Sequence, residues 1–199
     1  MTTALIPQLF LAPVAAVQRV LDQFGQQGVI IGGIAVSILG KPRTTADVDA
    51  VVIASVDDLS HLMMVAQQEG LSPRVENAEE FARRRRVLLL RHDASGITVD
   101  ISLGVLPFEI ETVERSQLVQ TGELQIRLPT PEDLIIQKAV AHRPKDLEDI
   151  RTIIVRQPKL DWQRIEYWIS QFAEVLEMPE LWTNIADLRK QAKPRKRRK

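Results

Sequence analysis

The chain has 199 residues, 45% of them apolar, with 26 basic and 26 acidic side chains, and this suits one globular domain or a domain with a helical appendix. It has no cysteine, so disulfides and thiolate metal sites are excluded, and any metal must sit on oxygen or on His61, His92 or His142. No apolar run approaches the roughly 20 residues that span a bilayer, and no HExxH pair suggests a zinc enzyme; a cytoplasmic protein without membrane segments is expected.

In chain order, Val14, Val17, Leu21 and Phe24 mark one face of a helix that Gly25 and Gly28 end. Val29–Ile31 reads as a short buried strand. Ile34–Leu39 is too short and too apolar for a surface helix and should pack on a sheet, with Gly40 as its stop. Asp47–Ile53 is a second strand. Ser55 and Asp58 look like a helix start, continued by Leu59, Leu62, Met63 and Ala66 and closed by Gly70. Val87–Arg91 and Ile97–Leu103 form a third and a fourth strand, joined as a hairpin by the turn residues 92–96.

The character changes after Gly104, and a boundary is expected near residue 105. Leu124–Leu128 reads as one more strand. From Thr130 onward the pattern is helical: Thr130-Pro131-Glu132-Asp133 combines a cap, a first-position proline and first-turn acids. Further helices are expected over Asp146–Arg156, along Trp162, Ile165, Ile169, Phe172 and Leu176, and from Pro179 towards Lys190. Trp162, Trp168 and Trp182 are expected in the core. Residues 189–199 carry eight basic groups and no acid, which leaves the body at 18 basic against 26 acidic groups. The tail therefore suggests a separate contact, and from Lys193 it is expected to be disordered. The fold class is α+β: a small mixed sheet with flanking helices, followed by a helical region.

One stretch carries chemistry. Asp47 and Asp49 alternate along a strand, so both carboxylates share a face while Val48 turns to the core. Paired carboxylates without soft ligands suit Mg²⁺ or Mn²⁺ together with substrate phosphates. Gly32 and Gly33 allow close backbone approach to a phosphate, and the helix after them offers free N–H groups and a positive dipole end. Arg43 is a fixed cation for phosphate oxygens, and Thr44 and Thr45 add hydroxyls. Asp100, among β-formers, is a candidate third carboxylate for a two-metal site or a general base; the simpler alternative is a solvent-facing strand residue. The run Arg83–Arg86 is either a solvated face or a clamp on a nucleic-acid backbone. A Walker loop is excluded because Gly33 and Gly40 have six residues between them instead of four and Pro42 follows Lys41, and GxGxxG is absent.

Ile31-Gly32-Gly33, thirteen residues, then Asp47-Val48-Asp49 resembles the signature of the DNA polymerase β-type nucleotidyltransferases. Within that superfamily the chain looks most like the AbiEii/AbiGii toxin family. The likeness rests on Gly32-Gly33-Ile34-Ala35, Arg43-Thr44-Thr45-Ala46-Asp47-Val48-Asp49, Glu132-Asp133-Leu134, Lys138, Lys145-Asp146 and Asp149-Ile150. The spacing of Thr45 and Ala46 before Asp47 departs from the commoner single small residue.

The resemblance implies transfer of a nucleoside monophosphate from an NTP to a hydroxyl on RNA, tRNA included, or on protein, with an antitoxin as partner. Asp47, Asp49 and Asp100 would bind metal. Gly32, Gly33, Arg43 and Thr45 would hold the donor, Lys138 would contact its triphosphate, and Asp146 would be an active-site acid or a brace. On residues alone, Lys138 is equally a snorkelling lysine at a helix edge, and Asp146 a first-turn acid. The expected organisation is a nucleotidyltransferase core over 1–105, a mainly helical region over 106–192 completing the cleft, and a basic tail over 193–199. The alternative is a non-catalytic nucleotide- or RNA-binding module, or a partner-regulating protein, with the same fold.

Overall fold

The computed structural model describes residues 6–25 and 27–192. The described residues form two compact units, one from the stretches up to 38 and 42–130, the other from 39–41 and from 131 onward. The division falls after Thr130 rather than near residue 105. The basic tail from Lys193, and with it the expectation of disorder, lies outside the described residues.

In the first unit, α1 (Gln8–Gln23) starts six residues before Val14 and runs through Pro13. Proline removes one helical hydrogen bond, and the carbonyl it leaves belongs to Leu9, which is exposed to water. Strands β1 (Gly28–Ile30) and β2 (Asp47–Ile53) flank the short helix α2 (Gly32–Leu39). A 3-10 turn over Val56–Asp58, closed by a reciprocal capping box between Ser55 and Asp58, leads into α3 (Leu59–Gln68). Then come β3 (Leu71–Pro73), α4 (Ala78–Arg85), β4 (Val87–His92), β5 (Thr98–Gly104), α5 (Pro107–Glu114) and the hairpin β6 (Gln117–Thr121) and β7 (Leu124–Leu128). The sequence pattern gave no sign of β3, α4, α5 or β6.

The main sheet has the order β1-β2-β5-β4-β3, and only the β2–β5 pair is parallel. One face carries Val48, Ala50 and Val52 of β2, Val99, Ile101 and Leu103 of β5, and Leu88 and Leu90 of β4, all buried. Helix α1 packs there: a Cβ on Gly28 would meet Leu21 Cδ2 at 2.5 Å. The opposite face is split. At the C-terminal half of β2, Val51 packs with Val29 and with Val113 of α5. The N-terminal half, with Asp47 and Asp49, is left half-exposed. Helix α5 covers the C-terminal half of β2, and β7 packs on β1 and α1, so the first unit extends through the hairpin.

The second unit consists of α6 (Pro131–Ala141), α7 (Pro144–Arg156), α8 (Trp162–Val175) and α9 (Glu180–Ala192). Leu134, Ile135, Ile136, Ile150, Ile153, Ile165, Ile169, Leu181 and Ile185 form its core. The three tryptophans are only partly buried: Trp162 lies under the Arg189 guanidinium at 4.4 Å, and Trp168 meets Tyr167 edge-on. Residues 39–41 join this unit through hydrogen bonds to α7 and its end. Arg156 donates to the Gly40 carbonyl at 2.7 Å, Gln157 donates to the Leu39 carbonyl at 2.9 Å, and the Lys41 N–H reaches Thr152 at 3.3 Å.

Candidate active site

The parallel pairing of β2 with β5 sets the site. Asp49 stands opposite Asp100, and Asp47 opposite Thr98. Directly paired residues project from the same side of a sheet, so the three carboxylates share the open face. Each has its own neighbour. Thr45 donates its hydroxyl to Asp47 Oδ1 at 3.0 Å. Asp49 lies against the backbone of Gly32, where a Cβ would fall 1.9 Å from its Oδ2. Gly32 has φ +61°, so it needs a residue without a side chain on both counts. Gly33 is confined in the same way, its absent Cβ lying 2.3 Å from Thr45 Oγ1 and 3.6 Å from Arg43 Nη1. Ser37 donates to the Gly33 carbonyl at 2.9 Å and fixes the first turn of α2.

Asp100 is held by a residue that the sequence did not single out. Arg74, just past β3, donates to Asp100 Oδ1 at 2.7 Å, both side chains being about one-third exposed. The Arg74 N–H bonds the Leu89 carbonyl, and Leu89 pairs with Asp100, so Arg74 reaches across β4 to β5. No local signal marks it, since its contact follows from the strand order alone.

The other arginine run has structural partners. Arg83 pairs with Glu79 and Arg84 with Glu80 along α4, and Arg86 donates to the carbonyls of Leu103 and Ala54.

Lys138 and Asp146 lie in the second unit and are buried together. Lys138 Nζ is 2.9 Å from Asp146 Oδ1 and 3.1 Å from Asp149 Oδ2. Lys138 is therefore neither a snorkelling edge lysine nor an exposed one: it is 5% exposed, inside an ion cluster. Asp146 is the first-turn acid of α7, accepting the Arg143 N–H, and is also gripped by the Arg143 guanidinium. Burial pushes its carboxyl pKa up, but the hydrogen bonds from Arg143 and Lys138 outweigh burial and hold it at about 2. Asp133 is buried against Arg164 at 2.7 Å.

The carboxylates suit a hard divalent cation by chemistry: Asp47 and Asp49 are oxygen donors on one face, next to a backbone cradle. Among the described residues, no three acidic or histidine side chains are already grouped to hold a metal ion. Asp100 turns its Oδ1 onto Arg74, so a metal at that oxygen would compete with the ion pair.

Residues 14–192 match the family described as nucleotidyltransferase of unknown function (DUF6036). The chain belongs to that family. Among solved structures it is similar to an antigenic nucleotidyltransferase-like protein from Paracoccidioides brasiliensis, with 16% identity, 91% of this chain and 94% of that one covered, and a TM-score of 0.54. It is also similar to the antibiotic-resistance factor ANT(2'')-Ia, with 13% identity, 86% and 96% covered, and a TM-score of 0.55. At these identities the likeness is one of fold, and it agrees with the mixed sheet and helices described above. No curated protein matches the sequence. Among the described residues no helix is long and apolar enough to cross a membrane.

Proposed function

We propose that the protein is a metal-dependent nucleotidyltransferase that moves a nucleoside monophosphate from an NTP to a hydroxyl acceptor on RNA or protein. The carrying observation is the register of β2 with β5, which sets Asp100 beside Asp49 and Asp47 on the half-exposed face of the sheet, next to Gly32 and Gly33. In this reading the first-turn N–H groups of α2, with Arg43 and Thr45, receive the triphosphate. Asp47 and Asp49 would hold Mg²⁺ or Mn²⁺, which when bound supplies positive charge for the attacking oxygen and the leaving pyrophosphate. Asp100 takes the acceptor proton. The acceptor oxygen then forms a bond to the α-phosphorus, the bond between that phosphorus and the β-phosphate oxygen breaks, and pyrophosphate leaves.

Lys138 and Asp146 keep the roles the motif resemblance gives them only if their ion cluster opens on substrate binding. As the cluster stands, its evident role is to hold α6 to α7. The likeness to AbiEii/AbiGii toxins supports a growth-arresting activity held in check by an antitoxin. Expression of the wild type should then stop growth, and expression of Asp49→Ala should not.

A second reading, a non-catalytic nucleotide- or RNA-binding module, is favoured by one observation: Asp100 is engaged by Arg74. Calorimetry with each NTP and Mg²⁺, followed by an assay for pyrophosphate, separates the two. Binding with release supports the enzyme, and binding without release supports the module.

A further inference from the structure

The open face of the sheet continues past the carboxylates, and its charge changes sign there. Two rows of paired residues cross it. One runs Asp49, Asp100, Leu89 and then Arg74, whose N–H bonds the Leu89 carbonyl. The other runs Asp47, Thr98, Arg91 and Ser72. Alternation along β4 agrees with this assignment: Leu88, Leu90 and His92 are buried, while Arg91 is exposed and Leu89 half-exposed. Arg91 makes no ion pair with any described residue. The face therefore reads across the strands as a glycine cradle with Arg43 beside β1 and β2, carboxylates on β2 and β5, and two arginines on the β4 and β3 flank.

If the donor lies on the cradle, as the proposed function has it, the acceptor must approach from the far side of Asp100. That side is the arginine flank. We propose that this flank is the acceptor subsite, and that Arg74 and Arg91 bind phosphates of a phosphodiester acceptor, an RNA strand ending in a free hydroxyl. Arg74 has two states in this account. Without acceptor it neutralises Asp100. With acceptor it transfers to a phosphate oxygen, a planar donor fork suited to either anion. The transfer frees Asp100 for the incoming hydroxyl only when an anionic acceptor is present. A protein hydroxyl offers no phosphate to draw Arg74 away, so the observations favour RNA over protein.

The test uses the full chain and two probes: a fluorescein-labelled single-stranded RNA oligonucleotide with a free 3′ hydroxyl, and mant-ATP with Mn²⁺. Each phosphate contact contributes about 0.7 to the slope of log affinity against log salt for single strands. Arg91→Gln and Arg74→Gln should each lower the RNA slope by about 0.7 and weaken RNA binding, while mant-ATP affinity stays at the wild-type value in Arg91→Gln, whose side chain touches no carboxylate of the site. The basic C-terminal residues are present in every variant and cancel in the comparison. Because Arg91 is exposed, its replacement tests the subsite without risk to the fold, and a melting curve checks the Arg74 variant.

An RNA slope unchanged in both variants overturns the proposal, as does wild-type labelling of protein in preference to RNA. Loss of mant-ATP binding by the wild type would instead refute the donor reading on which the proposal rests.

Discussion

Replacing Gly32 by alanine tests the geometry of the site with an internal control. At φ +61° a residue with a Cβ costs about 1–2 kcal/mol. The added Cβ would also lie 1.9 Å from Asp49 Oδ2, 2.7 Å from its Cγ and 2.9 Å from its Cβ. Rotating the Asp49 carboxylate relieves the first two contacts. It does not relieve the third, so β1, α2 or β2 must shift, an overpacking cost of about 1–3 kcal/mol. The two costs together come to about 2–5 kcal/mol, which for a chain of this size lowers Tm by roughly 5–15 °C. Gly96 has φ +72° with nothing within 4 Å of its Cβ position, so Gly96→Ala carries the backbone cost alone. Differential scanning calorimetry of both variants, with Mn²⁺ binding by electron paramagnetic resonance, reads the difference. Gly32→Ala should melt lower than Gly96→Ala and should lose Mn²⁺ affinity, while Gly96→Ala should keep it. Equal melting temperatures and wild-type Mn²⁺ binding in Gly32→Ala would refute the placement of Asp49 against this glycine.

Other expectations follow from the same contacts. Thr45→Val removes the hydroxyl that orients Asp47 and should weaken Mn²⁺ binding by about tenfold or more, read by the same resonance titration. Asp146 is held at about 2 from an ordinary 3.8, so its ionised form adds about 2 kcal/mol of stability. That stability is complete above about pH 5 and is lost as pH falls towards 2; urea titrations across this window should show a loss larger in the wild type than in Asp146→Asn by about this amount. Asp133→Asn removes the carboxylate charge that faces the Arg164 guanidinium at 2.7 Å and should lower stability in urea denaturation by about 3–5 kcal/mol, with no change in mant-ATP affinity.

The legible parts of this chain were those where chemistry dictates spacing. Strand β2 runs from Asp47 to Ile53 as the alternation required, and its pairing with β5 brings Asp100 to Asp49. The glycine pair was marked by its motif, and Gly32 lies against Asp49 and Gly33 against Thr45. What was not legible depends on contacts between distant segments. Strand β3 has three residues and ends in proline, which leaves no periodicity to detect. Helix α4 is mostly charged, held by its own Glu–Arg pairs and entered through Asn77 in the left-handed region, so its arginines read as a surface run. Helix α5 packs on Val51 inside the first unit, a contact that no local pattern announces. Arg74 meets Asp100 only because β3 lies beyond β4 in the sheet. Lys138 was marked by motif, but its burial between Asp146 and Asp149 depends on how α7 packs on α6.

The central claim is that the carboxylates of β2 and β5 carry nucleotidyl transfer. The most direct measurement incubates the full chain with each α-³²P-labelled NTP, Mg²⁺ and an RNA oligonucleotide, and follows label on the acceptor together with released pyrophosphate. The account predicts labelled acceptor and matching pyrophosphate from the wild type, and neither from a folded Asp49→Ala variant. Transfer that persists in Asp49→Ala, or nucleotide binding by the wild type without pyrophosphate release, would contradict it.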